Sequence, residues 1–239
     1  YNGHIIDLIL ILKRKIDLLI ICSTWKFDIV KEHLDKYILS EDVKIENSEF
    51  NSSALIFYPF ENEEFETLTN GIYEFNENAF IIKDPLFRRN IRVISNVIST
   101  DIAPIQENEF EFFRISNLIP YSVNELNEKI IPLECNLNEF ISLDKGCYLG
   151  QEVIARITSQ NKLPKSMHLM KSKTEIFPQD KIFIKNSDDT YIECGFISSV
   201  TFFNDSFTAL GFIRQKNFYE DNKYFIVRDN HYKEFNLIK

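Results

Sequence analysis

The chain has 239 residues, enough for one large domain or two modest ones, and its 44% hydrophobic and 26% charged content is that of a soluble globular protein. A formal charge of −9 and a sequence pI near 5.1 argue against a direct nucleic-acid binder, which needs a basic stripe to meet the phosphates. Cys22, Cys135, Cys147 and Cys194 form no Cys-x-x-Cys pair and the four His are scattered, which indicates neither a zinc site nor a secreted disulfide framework, and implies a reducing compartment.

The apolar stretch from Ile5 to Cys22 is interrupted by Asp7, Lys13, Arg14, Lys15 and Asp17, too many charges for a membrane helix, and reads as two strands joined by a charged turn. Ser23 or Thr24 then stands where a helix can be capped, with Phe27, Val30, Leu34, Tyr37 and Ile38 on one face. Strands are expected at Asp42 to Glu46, Ser53 to Phe57, Gly71 to Phe75, Ala79 to Lys83 and Ile91 to Ile98, with Asn76-Glu77-Asn78 as a turn and Asp84-Pro85 as a stop. Helical spacing returns from Glu107 to Leu118, where Phe110, Phe113 and Leu118 are apolar, and a short helix is expected around Val123 to Lys129. A loop-rich stretch leads to Asp144, and Gln151 to Thr158 is again rich in helix formers. Beyond Ser159 the pattern changes to short strands, Lys181 to Lys185, Tyr191 to Phe203, Phe207 to Ile213 and Tyr224 to Val227, separated by Asn, Asp and Ser turns. This second pattern places a domain boundary near Asn161 to Lys165, dividing the chain into 1–160 and an all-β 161–239.

The octet Lys145-Gly146-Cys147-Tyr148-Leu149-Gly150-Gln151-Glu152 carries the chemistry. It sets Cys147 between two glycines, just upstream of a helix N-terminus. In an extended segment, side chains at i and i+2 share a side, which puts the Lys145 ammonium beside the Cys147 sulfur. A cation and the positive end of a helix both favour thiolate over thiol. Gly146 and Gly150 allow close backbone approach or a left-handed conformation. A small buried Cys in a tight turn is the bland alternative. Tyr148 would either stack on a ligand ring or fill the core, and Glu152 and Arg156, at i and i+4, are spaced for a helix ion pair that braces the loop.

Lys-Gly-Cys-Tyr-x-Gly-Gln-Glu resembles the signature of the YgfZ-type folate-binding proteins, which are themselves similar to the aminomethyltransferase (T-protein) of the glycine cleavage system. The resemblance continues upstream through Ile131-Pro132-Leu133-Glu134-Cys135-Asn136-Leu137 and Arg114-Ile115-Ser116-Asn117-Leu118-Ile119-Pro120, and downstream through Ala155-Arg156. It implies an α+β fold: a T-protein-like folate-binding α/β domain followed by a small C-terminal β-barrel-like domain. Family members have further sequence before the part that Tyr1 to Lys13 resembles, so an N-terminally incomplete chain is expected. Gln160-Asn161-Lys162 stands where the family has Gly then Arg, and Asn is the residue that best replaces Gly in a left-handed backbone.

The resemblance implies tetrahydrofolate or a derivative as cofactor and a role in maturing or maintaining iron-sulfur proteins. In mitochondrial relatives the signature Cys is associated with a [2Fe-2S] cluster shared with an A-type carrier protein. On this reading Cys147 is thiolate and shared cluster ligand, Lys145 its activator, and Gly146, Gly150, Gln151, Glu152 and Arg156 support the loop. Glu134 would face a pterin's amidine-like edge, with Tyr148 beside the ligand. Asp7 most nearly matches the T-protein aspartate at the folate's reacting end, with the preceding glycine out of step by one residue. Arg114 would hold a folate carboxylate or pair with Glu109 or Glu111 at the surface. Partners would be an A-type carrier and client iron-sulfur enzymes, without direct nucleic-acid or membrane contact, in bacterial cytoplasm or mitochondrial matrix. The competing readings are a tetrahydrofolate-dependent aminomethyltransferase and a folate-sensing scaffold in which the Cys is structural.

Overall fold

The structure is a computed structural model and describes residues 3–48, 50, 52–57, 72–76, 79–83, 85–87, 90–95, 104–121, 123–160, 162–218 and 223–238. Contacts divide the chain into two compact units, one made of Ile9–Pro104 and the other of Tyr1–Leu8 with Ile105–Lys239.

In the first of these units, strands β1 (Leu10–Lys13) and β2 (Leu18–Ile21) pair antiparallel, as the charge-interrupted pattern predicts. The turn closes through the Arg14 N–H on the Asp17 carbonyl and an Arg14–Asp17 ion pair. Leu12 and Leu19 face each other in register and are buried with Ile94, a small core that Leu10, Ile21 and Phe50 complete. Helix α1 (Phe27–Asp35) follows a 3-10 turn at Thr24–Lys26, so that Lys26, not Ser23 or Thr24, occupies its N-cap. Val30 is the buried residue of that helix, and Phe27 and Tyr37 of the expected apolar face are exposed.

Strands β3 (Ser52–Phe57), β4 (Ile72–Asn76), β5 (Ala79–Lys83) and β6 (Asn90–Ser95) make an antiparallel sheet in the order β3-β6-β5-β4. Gly71, the Glu77-Asn78 part of the expected turn, Asp84 and the 96–98 end of the expected last strand lie outside the described residues. The strand expected from Asp42 to Glu46 is absent. That segment is irregular, Val43 is exposed, and Lys44 pairs with Glu46 two residues on, so its alternation reflects a solvated stretch with no neighbouring strand to bond among the described residues.

In the other unit, helix α2 (Glu107–Ser116) opens with the Gln106 N–H on Glu109 Oε2 at 3.0 Å, the reaching-back half of a capping box, and ends at Leu118, whose φ is +55°. Its buried face is Arg114 and Ile115. The short helix expected around Val123 to Lys129 is instead a run of turns. Val123 has a φ of +78°, and the Asn127 amide donates to the carbonyls of Val123 and Asn124, competing for the acceptors a helix would use. Helix α3 (Gln151–Gln160) follows the octet and buries Ile154.

The rest of this unit is a closed antiparallel barrel in the order β10-β7-β12-β11-β8-β9. Its strands are β7 (Lys165–Ser172), β8 (Lys181–Lys185), β9 (Tyr191–Phe203), β10 (Ser206–Arg214), β11 (Tyr224–Arg228) and β12 (His231–Ile238). The interior is apolar, built on Met170, Ile182, Ile197, Ala209, Tyr224 and Ile226, each worth roughly 1.5–3 kcal/mol if large and fully buried. Two hairpins turn on consecutive left-handed residues, Asn204-Asp205 and Asp229-Asn230, the backbone that two-residue hairpin loops require. A bulge opposite Leu210 and Gly211 leaves Ser198 out of register, so that Ser198 and Ser199 are both buried. The fold is thus α+β with a closed C-terminal barrel.

Candidate functional site

In the larger unit the N-terminal segment 3–8 links the octet to the turn before Glu134, and the start of β7 reaches Glu134. Gly150 has a φ of +84° and crosses Gly3, itself at +73°. A Cβ on Gly150 would lie 2.6 Å from the Gly3 Cα, closer than real atoms approach, so the crossing requires glycine. Two residues further on, the Ile5 N–H donates to the Ile130 carbonyl at 2.9 Å. The N-terminal segment is in this way strapped across the end of the octet and the turn that precedes Glu134. Asp7 lies on the same segment, half-buried.

Cys147 is exposed on the octet loop. The loop is fixed at its helix end by a reciprocal pair, the Tyr148 N–H on Gln151 Oε1 at 3.3 Å and the Gln151 N–H on the Tyr148 carbonyl at 3.2 Å. The Gly150 carbonyl takes the N–H groups of Val153 and Ile154, starting α3. The Lys145 ammonium sits 4.4 Å from the centre of the Tyr148 ring. Gly146 has open space around it. Glu152 and Arg156 are both exposed, and among the described residues no ion pair joins them.

Glu134 is buried at the end of a 3-10 turn, Pro132–Cys135. Its Oε2 accepts the Ile131 N–H at 3.2 Å and lies 3.4 Å from the Lys165 ammonium, which also donates to the Lys129 carbonyl. Burial pushes the Glu134 carboxyl above the usual carboxylate range, opposed by Lys165, by the Ile131 N–H and by His4. Lys165 and His4 are contributions that sequence reasoning missed: neither belongs to a local pattern, and only the barrel and the strap bring them to Glu134.

Arg114 is neither a surface residue nor available to a ligand carboxylate, because it is fully buried and every nitrogen of its guanidinium is committed. Nε donates to Glu111 Oε1 at 2.7 Å, Nη2 to Glu111 Oε2 and to Ser199 Oγ at 2.8 Å, and Nη1 to Glu125 Oε2 at 3.3 Å. Glu111 was an expected partner; Glu125 and Ser199 were not. Ser199 Oγ donates to Glu125 Oε1 at 2.6 Å and accepts from the Asn124 amide at 3.0 Å. Glu125 also accepts the Tyr121 N–H, and its carbonyl accepts the Cys135 thiol at 3.6 Å. The barrel bulge therefore aims Ser199 at a buried charge network that ties α2, the turns carrying Glu134, and β9 together.

Of the other cysteines in this unit, Cys135 and Cys194 are buried. Burial raises both thiols, Cys194 to about 12, which keeps them protonated and unreactive at neutral pH. A [2Fe-2S] cluster takes four protein ligands, and among the described residues no group of three or more His, Cys, Asp or Glu side chains could hold a metal ion. The described residues do not fit a cluster held by this chain alone. A folate is a better fit: Glu134 Oε1 accepts no hydrogen bond among the described residues, leaving a carboxylate oxygen for a ligand N–H. No helix among the described residues is long and apolar enough to cross a membrane.

No family model matches the chain. Over 130 residues it is 29% identical to the tRNA-modifying protein YgfZ of Buchnera aphidicola subsp. Schizaphis graminum, a match covering 53% of this chain and 40% of that protein. Over 157 residues it is 27% identical to the mitochondrial iron-sulfur cluster assembly factor IBA57 homolog of Scheffersomyces stipitis, covering 56% of this chain and 32% of the relative. The matched region is thus less than half the length of either curated relative. The structure superposes on the glycine cleavage system aminomethyltransferase T from Bartonella henselae with a TM-score of 0.76 at 10% identity, over 100% of this chain and 72% of the other. These findings bear out the resemblance to the YgfZ-type proteins and the T-protein-like fold.

Proposed function

We propose that this chain, YgfZ-type in sequence and T-protein-like in fold, is a folate-binding accessory factor for the maturation or maintenance of iron-sulfur proteins, with Cys147 as its working thiol. The observation that carries this reading is the exposed Cys147 on a loop anchored by Gly150, Gln151 and the strap, a placement that serves contact with another molecule and does nothing for the core. Similarity to a tRNA-modifying protein and to an iron-sulfur cluster assembly factor supports the process.

In this proposal Cys147 acts as thiolate toward a cluster carried by a partner of the A-type carrier class, which supplies the remaining ligands, and the beneficiaries are client iron-sulfur enzymes. Lys145 supplies positive charge three residues from Tyr148 and holds the loop through that ring. Tetrahydrofolate or a derivative, when bound, supplies one-carbon chemistry or a conformational signal. Glu134 orients it by accepting ligand N–H groups, and Lys165 opposes the effect of burial on that carboxyl and holds it in place. Asp7, on the strap, would take the folate's reacting end. The acidic composition makes any effect on tRNA indirect, through iron-sulfur clients. The chain would work in bacterial cytoplasm or the mitochondrial matrix.

The fold also favours a second reading, an aminomethyltransferase passing a one-carbon unit to tetrahydrofolate, in which Glu134 and Asp7 matter and Cys147 does not. Complementation separates the two. In a cell lacking its own YgfZ-type protein, wild-type chain should restore an iron-sulfur enzyme's activity and Cys147→Ala should not. Equal rescue by both overturns the assignment of Cys147.

A further inference from the structure

Lys165 reaches Glu134 from the first residue of β7, and the end of an element is where a backbone opens most easily. The residues on either side of Lys165 are, however, both fastened to Gln215, which starts a 3-10 turn, Gln215–Asn217, directly after β10. The Gln215 N–H donates to the Pro164 carbonyl at 3.0 Å, and Gln215 Oε1 accepts from Ser166 Oγ at 3.1 Å. Ser166 has a single hydroxyl proton, so with that proton on Gln215 its oxygen accepts from the His168 Nε2–H at 2.8 Å. The His168 ring stacks on Phe218 at 4.4 Å, and the Phe218 N–H returns to the Gln215 carbonyl at 3.2 Å. These contacts close a loop around the start of β7.

Burial lowers the His168 pKa, which keeps the ring neutral at neutral pH. A hydroxyl that accepts from an imidazole is not deprotonated by it, so Ser166 and His168 are not a nucleophile and its base. Strand alternation gives the loop another use. Ser166 and His168 share a face of β7 with Met170 of the barrel core, whereas Lys165 and Met167 point the other way. Fastening the first face sets the direction in which Lys165 leaves the second.

We infer that Ser166, Gln215 and His168 form a positioning clasp that holds Lys165 within reach of Glu134. The importance of the clasp rests on the reading of Glu134 as a ligand-accepting carboxylate. Its test is made on Glu134 itself, without ligand, so a failure of folate binding leaves it standing.

Lys165 from β7 and His4 from the strap are the charged or titratable side chains that pull the Glu134 carboxyl down against burial. The pH midpoint of Glu134, followed by carboxyl NMR on protein with isotope-labelled glutamate and assigned with Glu134→Gln, therefore reports the reach of Lys165. Lys165→Met should raise that midpoint by about 1–3, the effect of removing an opposite charge at close range. Ser166→Ala should raise it by at least about 0.3, a fraction of the same effect, and by nothing further in a Lys165→Met background. Ser172→Ala removes a hydroxyl hydrogen bond at the other end of the same strand and should leave the midpoint in place. No rise with Lys165→Met, or none with Ser166→Ala, overturns the inference. So does a Ser166→Ala rise that persists in the Lys165→Met background or is matched by Ser172→Ala, because the effect is then a general loosening of the barrel.

Discussion

Replacing Glu125 with leucine should be among the most damaging single changes in the larger unit. The carboxylate accepts from the Arg114 guanidinium, from Ser199 Oγ and from the Tyr121 N–H, and both it and Arg114 are fully buried. Leucine leaves all three donors short of an acceptor, one of them charged, although Glu111 still holds the other edge of the guanidinium. Removing one member of a buried ion pair costs about 3–5 kcal/mol. That is a large part of the total stability of roughly 5–15 kcal/mol expected for a domain. The Tm should fall by about 6–20 °C at the 2–4 °C per kcal/mol typical of this size. Urea unfolding gives the loss directly, and a double-mutant cycle with Ser199→Ala should show a coupling of about 0.5–3 kcal/mol. A loss below about 1 kcal/mol, the value of an exposed pair, would refute the claim that this network is buried and holds the barrel to α2.

Two further outcomes follow from the site. Burial raises the Glu134 carboxyl above its ordinary value of 4.5, so the folded state favours the protonated form. The associated stabilisation is complete below the ordinary value and is lost as pH rises through the raised one. The Tm of wild type should consequently decline relative to Glu134→Gln as pH rises from about 4 toward neutrality, and a difference that stays constant with pH contradicts the assignment. Gly150→Ala places a Cβ 2.6 Å from the Gly3 Cα on a left-handed backbone, and should cost at least about 1–3 kcal/mol in urea unfolding; an alanine variant as stable as wild type would mean that the crossing is not tight.

Sequence made local structure legible where one segment holds its own determinants. The hairpin of β1 and β2, helix α3, and strands β8 and β9 stand where spacing and turn residues put them. Strands β7 and β12 escaped notice because their alternation is broken: Lys165 to Ser172 carries Lys, Ser and His among its apolar residues, and His231 to Asn236 is mostly polar. Only barrel closure, which pairs β7 with both β10 and β12, makes strands of them. The Asp42 to Glu46 and Val123 to Lys129 segments err the other way, having the right residues but neither a partner strand nor free carbonyls.

The same distinction governs the site. Gln151 could be read from one octet because its partner Tyr148 is three positions away, whereas the need for glycine at 150 comes from Gly3 at the far end of the sequence. Arg114 could not be read locally either, since its Ser199 partner is 85 positions away and reaches it only because a bulge re-aims β9. A motif arginine is thereby assigned to holding the scaffold, and the charge facing Glu134 comes instead from Lys165 at the entrance to the barrel. The barrel thus acts on the site through two contacts, Ser199 on the buried network and Lys165 on the Glu134 carboxylate. Loosening the first should disturb the turn that carries Glu134 even though no network residue touches a ligand, because Glu125 also anchors Cys135, the residue that follows Glu134.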